Sequence, residues 1–179
     1  MTLLGRVAEA LLSAKIPHAL IGAGALAVYG VNRATYDHDL FVVDAACLRP
    51  DLWTALASQE ISVEIRKGDV SDPLAGVVRF QFLGEIPVDL VVGKYKWQRE
   101  VLDRAALRTT QEADIPVVRA ADLILLKLYA GGAQDGWDVQ QLLEGVEGED
   151  RRALITEVEM RLPELLPHAA KLWRRVLEG

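Results

Sequence analysis

A chain of 179 residues, 51% hydrophobic and 26% charged, can bury one compact core, or one α/β core with a small helical appendage. A net charge of −6 argues against a broad nucleic-acid-binding face, which would need a basic stripe. The single cysteine, Cys47, excludes a disulfide framework and any cysteine-rich metal site, and its Ala-rich surroundings suit a small core residue.

Leu3, Leu4, Val7, Leu11 and Leu12 recur at helical spacing and predict an amphipathic helix over residues 3–14. Arg6, Glu9 and Lys15 interrupt this segment, so it lacks a signal peptide's apolar stretch. No run is long enough to span a bilayer, and the chain is expected to be cytoplasmic, with no membrane partner. Residues 18–21 read as a strand ended by Gly22-Ala23-Gly24, and residues 25–29 as a short helix stopped by Gly30. Strands follow at 39–43 and 61–66, with a helix at 52–59 between them. Residues 77–83 and 86–92 form two more strands joined by a tight Gly84-Glu85 hairpin.

From Tyr95 onward the pattern turns helical. Helices are expected at 96–107, 120–129, 139–143, 151–161 and 164–177, with a brief extended piece at 115–118. Strands first and helices later indicate an α+β fold, a mixed β-sheet flanked by helices with a mainly helical C-terminal part. The expected division is a core over 1–94 and a helical part over 95–179, packed as one compact unit. Basic residues cluster at Lys94, Lys96 and Arg99, at Arg104 and Arg108, and at Lys171, Arg174 and Arg175. They read as solvated helix faces or as a local grip for a small RNA end.

The chemistry begins at Asp37-His38-Asp39. Side chains alternate along a strand, so Asp37 and Asp39 share a face, about 7 Å apart, and His38 points away. Two such carboxylates can converge on one hard cation. Asp89, an acid inside the apolar run Ile86-Pro87-Val88-Asp89-Leu90-Val91-Val92, is the candidate third ligand, because an isolated acid there is costly unless paired or metal-bound. Asp-x-Asp alone is a common pattern that also caps turns, here after Thr35. The order adds weight: strand, small-residue turn, helix, paired acids, then an isolated strand acid. Gly22-Ala23-Gly24 aims backbone N–H groups at an anion, or else serves as a packing turn.

That order, from Ile21 through Gly22-Ala23-Gly24-Ala25-Leu26 to Arg33-Ala34-Thr35-Tyr36-Asp37-His38-Asp39, resembles the polymerase-beta-like nucleotidyltransferase superfamily. It looks most like the minimal bacterial branch related to AbiEii-type toxins and MNT antitoxins. The resemblance extends to Pro87-Val88-Asp89-Leu90 and to the segment from Leu126-Lys127 to Asp135-Gly136-Trp137-Asp138, covering residues 16–143. It implies the nucleotidyltransferase fold, with Gly22, the Ala23 amide and Gly24 at nucleotide phosphate and Asp37 and Asp39 on Mg²⁺ or Mn²⁺. Asp89 would complete the metal site or act as base on the incoming hydroxyl. An NTP would be the substrate, a tRNA or protein hydroxyl the acceptor, and a cognate toxin or antitoxin a partner.

Three further residues carry open alternatives. Arg33 either steadies the triphosphate or forms a surface ion pair with Asp37. Lys127 contacts phosphate or snorkels at the surface. Asp135, with Asp138, binds at the nucleotide site or begins the next helix. Two departures from the family pattern stand out: Ala23 replaces the usual Gly or Ser, and His38 replaces an aliphatic between the acids. Both leave room for a catalytically weak or inactive nucleotide-binding module of the same fold, acting as an antitoxin or regulator.

Overall fold

The computed structural model describes residues 1–110 and 112–178. They fall into two compact units, residues 1–24 with 34–118, and residues 25–33 with 119–179.

The first unit holds a seven-stranded mixed sheet. Its strands are β1 (His18–Ile21), β2 (His38–Val42), β3 (Ser62–Lys67), β4 (Gly76–Gln81), β5 (Val88–Val92), β6 (Ala106–Thr109) and β7 (Asp114–Val117), in the order β3-β4-β5-β2-β1-β7-β6. The β2–β5 and β1–β7 pairs are parallel and the others antiparallel. Helix α1 (Leu3–Ser13) buries Leu3, Leu4, Val7 and Leu11, the stripe that its sequence period predicts. Thr2 caps it by accepting from the Gly5 amide. Glu85, in the β4–β5 turn, accepts from the Leu3 amide and pairs with Arg6 at 2.6 Å, placing a negative charge at the helix N-terminus.

The buried strand residues Leu40, Val42, Val78, Phe80, Val88, Leu90 and Val92 form the core of this unit. Trp53 packs edge-on against Phe80 at 4.9 Å between ring centres and donates its indole N–H to the Cys47 carbonyl. Cys47 is buried, and burial pushes its thiol up to about 12, so it is an inert core residue as expected.

Several elements differ from expectation. In place of the expected helix over 52–59, a 3₁₀ turn at Pro50–Trp53, started by Pro50, leads into only one turn of helix, α3 (Thr54–Ala57). Helix α4 (Lys96–Asp103) stops four residues before the expected end at Leu107, and residues 106–109 become the edge strand β6. Its pairing with β7 supplies hydrogen bonds that a local reading cannot see. The sheet thus continues well past residue 94.

Helix α2 (Gly22–Val28) follows β1 directly. The second unit then contains α5 (Ala120–Ala130), α6 (Ala133–Glu144), α7 (Gly148–Arg161) and α8 (Pro167–Glu178). Helix α5 is its centre, with Leu123, Ile124, Leu125 and Leu128 buried. Gly131 ends it in the left-handed conformation at φ +73°, donating its amide to the Lys127 carbonyl. Helix α6 starts six residues before the expected 139, since its first turn is polar and carries no apolar period. Among the described residues no helix is long and apolar enough to cross a membrane.

Candidate functional site

The strand register sets Glu64, Arg79, Asp89, Asp39 and Ile21 in one row across β3, β4, β5, β2 and β1. Directly opposed residues on neighbouring strands project to the same face, so Asp39 and Asp89 stand side by side, about 5 Å apart along the hydrogen-bonding direction. Each lies in a strand whose alternate residues are buried on the opposite face, Leu40 in β2 and Val88 and Leu90 in β5.

Gly22 closes the near end of this row. It lies at φ +60°, and a Cβ built on it would fall 2.0 Å from Asp39 Oδ2. The glycine therefore serves both a backbone turn and a carboxylate that lies against the backbone. Gly24 is tight for a different reason: a Cβ there would meet the Leu20 methyls at 3.1 Å, which is packing. The Ala23 side chain is buried, so this position contributes only its backbone to any ligand.

Asp37 precedes β2 by one residue. Its Oδ1 accepts from the Thr35 hydroxyl at 3.1 Å, and its Oδ2 lies 3.9 Å from Arg79 Nη2. Arg79 Nη1 donates to Asp89 Oδ2 at 3.0 Å. The three expected acids thus share a sheet face, and the cation found beside Asp37 and Asp89 is Arg79. Sequence reasoning does not single out this arginine. The Gly84-Glu85 turn expected from the sequence would set residue 79 opposite residue 90, and only the observed register, centred on Gly84, puts it opposite Asp89.

Asp89 is the least exposed of the three charged groups, with a side chain 16% accessible against 33% for Arg79 and 32% for Asp37. Burial pushes its carboxyl above the usual carboxylate range. The Arg79 guanidinium opposes that shift and the Asp37 charge adds to it. Its Oδ1 is buried with no hydrogen-bond partner. A buried acceptor left in that state is costly, and it suits a ligand that brings a proton or a positive charge.

Among the described residues no three His, Cys, Asp or Glu side chains converge as a metal-holding group in their present positions. The chemistry of the donor set still fits a divalent cation: two in-register carboxylates beside a residue with no side chain, one presenting an unpartnered oxygen. His38 faces away from this row, as alternation requires. Its Nε2 lies 2.8 Å from Glu112 Oε1, an ion-pair distance out of line for a hydrogen bond. That carboxylate is the partner of a mostly buried ring, in keeping with a core histidine.

The second unit gathers the other expected residues into one charged cluster. Lys127 Nζ lies 3.0 Å from Asp135 Oδ1 and 2.6 Å from Asp138 Oδ2, and Arg33 Nε is 3.8 Å from Asp138 Oδ1. Asp138 is fully buried and Lys127 only 11% exposed, so this lysine is an internal counter-charge and does not snorkel. Arg33 pairs with Asp138, where the sequence suggested Asp37. Asp135 accepts from the Gly132 amide at 3.0 Å, which makes it an N-terminal acid of α6. A cavity of about 350 Å³ lined by Pro17, Val43, Asp44, Ala45, Arg99, Leu102 and Asp103 lies beyond the other end of β2 and contains none of these residues.

No protein-family model and no curated protein sequence matches the chain. Solved structures do. ANT(2")-Ia, seen in complex with adenylyl-2"-tobramycin, aligns over 89% of this chain and 97% of that one, at 14% identity and a TM-score of 0.53. A Thermotoga maritima chain described as a nucleotidyltransferase aligns over 80% and 92%, at 15% identity and a TM-score of 0.53. The lincosamide antibiotic adenylyltransferase LnuA, lincomycin-bound, aligns over 80% and 96%, at 13% identity and a TM-score of 0.51. Identities this low speak for the fold alone, and they agree in it: the chain has the nucleotidyltransferase fold, a mixed sheet flanked by helices.

Proposed function

We propose that the chain is a nucleotidyltransferase that moves a nucleotidyl group from an NTP, with Mg²⁺ or Mn²⁺, to a hydroxyl on an RNA end or a protein. The observation that carries this reading is the in-register pair Asp39 and Asp89, with the unpartnered Asp89 Oδ1, beside the side-chain-free Gly22. The acceptor oxygen attacks the α-phosphorus, the bond from that phosphorus to the bridging oxygen of the β-phosphate breaks, and pyrophosphate leaves. When bound, the divalent ion supplies charge neutralisation at the polyphosphate and the reacting oxygens.

Asp37 and Asp39 hold that ion, and Asp89 completes the set or takes the hydroxyl proton. The elevated affinity of Asp89 for a proton suits the second role. Gly22, the Ala23 amide and Gly24 face phosphate in this reading. Arg33, Lys127 and Asp135 are already engaged in the charged cluster around Asp138, and they join nucleotide binding only if Lys127→Gln weakens nucleotide affinity in a folded chain.

The test is incubation of the full chain with labelled NTPs and Mg²⁺ or Mn²⁺. The acceptor panel is tRNA, a partner protein, the chain itself, tobramycin and lincomycin, the last two because solved structures of the same fold are seen with them or their adenylyl product. Asp39→Asn and Asp89→Asn should each lower transfer by at least about 100-fold. Transfer that survives both substitutions together rules the mechanism out.

A second reading keeps the fold and nucleotide binding without turnover, as an antitoxin or regulatory partner in a toxin–antitoxin pair. The Arg79 guanidinium already paired with Asp89 and Asp37 favours it. Calorimetry that shows nucleotide binding with no pyrophosphate release for any acceptor would support this second reading, and measurable release would end it.

A further inference from the structure

Arg79 has no place in the reading that the sequence allowed, yet it bonds one of the site acids and lies within ion-pair distance of a second. It stands opposite Asp89 in the β4–β5 register, donates to Asp89 Oδ2 at 3.0 Å, and lies 3.9 Å from Asp37 Oδ2. On its other side the register brings Glu64, but that carboxylate is engaged by Arg66 at 2.8 Å. Arg79 is therefore committed to the site acids, and its partial exposure leaves it free to swing outward on its flexible stem.

We infer that Arg79 is the resident counter-cation of the candidate site: it neutralises Asp37 and Asp89 at rest and must give up these contacts when a divalent ion takes the same carboxylates. The inference rests on the proposed assignment of Asp37, Asp39 and Asp89 to metal. Arg79 sits on Asp89 Oδ2, and a divalent ion on the neighbouring Oδ1 would lie a few ångström from its guanidinium, so the repulsion between the two positive charges sets ion binding against the Arg79–Asp89 pair. Part of the ion's binding energy is spent on breaking the pair. Removing the guanidinium then makes binding tighter, although it takes away a residue that touches the site. Arg79 is in this sense a positioning residue that keeps the acids aligned and sets the metal concentration at which the site fills.

The test uses Mn²⁺ alone as probe, with free ion followed by electron paramagnetic resonance on the full chain at low ionic strength. Arg79→Gln should bind Mn²⁺ about tenfold more tightly than the unaltered chain, equivalent to about 1.4 kcal/mol. Arg79→Lys, which keeps the charge, should stay close to the unaltered chain. A second measurement needs no substitution in the measured protein. The Nε–H resonance of Arg79, assigned by its loss in Arg79→Lys, should move on addition of Mg²⁺.

Equal or weaker Mn²⁺ binding by a folded Arg79→Gln overturns the inference, as does an Arg79 resonance that stays in place at saturating Mg²⁺. If Mn²⁺ binds equally to both chains and Asp89→Asn abolishes that binding, the inference alone fails and the metal site stands. If neither chain binds Mn²⁺, the metal assignment itself falls and the inference falls with it.

Discussion

Asp39 occupies the space in which a side chain at Gly22 would lie: a Cβ there would come within 2.0 Å of Oδ2 and 2.8 Å of Cγ of that carboxylate. Gly22 also holds φ +60°, a conformation that costs an L-residue about 1–2 kcal/mol. Gly22→Ala should therefore lose stability by more than the backbone term alone, and should displace the Asp39 carboxylate. In an Asp39→Ala background the carboxylate is gone and only the backbone term remains, so the same glycine substitution should cost about 1–2 kcal/mol. Urea unfolding of the four chains measures the cycle. Equal costs of Gly22→Ala in both backgrounds would show that the two residues do not compete for space.

The buried carboxylate of Asp138 depends on Lys127, 2.6 Å away, with Arg33 more distant at 3.8 Å. Lys127→Met leaves a buried charge without its nearest partner and should cost about 3–5 kcal/mol. Combining it with Asp138→Leu, which removes the charge as well, should recover most of the loss. Chemical denaturation of both variants decides the matter, and a single variant as stable as the unaltered chain would show that Lys127 is no structural counter-charge.

His18 opens β1 with Nδ1 3.0 Å from the Ile16 carbonyl oxygen. Burial lowers its proton affinity below the ordinary value of 6.5, against the opposing hydrogen bond to Ile16. The unfolded chain therefore takes up this proton at a higher pH than the folded one. The contribution to stability is present above pH 6.5, falls as pH drops below that value, and levels off beneath the folded-state pKa. The slope cannot exceed about 1.4 kcal/mol per pH unit for one group. Denaturant midpoints measured at several pH values should show this fall, and His18→Gln should flatten it. Parallel profiles for the two chains would remove His18 as the cause.

The alternation of Asp37, His38 and Asp39 and the apolar run around Asp89 were legible without coordinates, because both are properties of contiguous residues on an extended chain. The same holds for the stripe Leu3, Leu4, Val7 and Leu11 of α1. Strand β6 was not legible, since Ala106–Thr109 has an exposed, weakly patterned sequence and becomes a strand through its pairing with Asp114–Val117. The polar first turn of α6 escaped for the same kind of reason: its acids answer to Gly132 and Lys127, not to an apolar period.

Local order therefore determined that this chain makes a mixed sheet with helices, that Asp39 and Asp89 sit on strands, and that a small-residue segment precedes them. Which acid faces which partner was decided only in three dimensions. Asp39 and Asp89 belong to parallel strands separated by an excursion through β3 and β4, and Arg79 meets Asp89 through a hairpin whose centre must be correct to one residue. A one-residue slip in either pairing would turn the side chain to the other face of the sheet, and nothing short of the packed core beneath it chooses between the two.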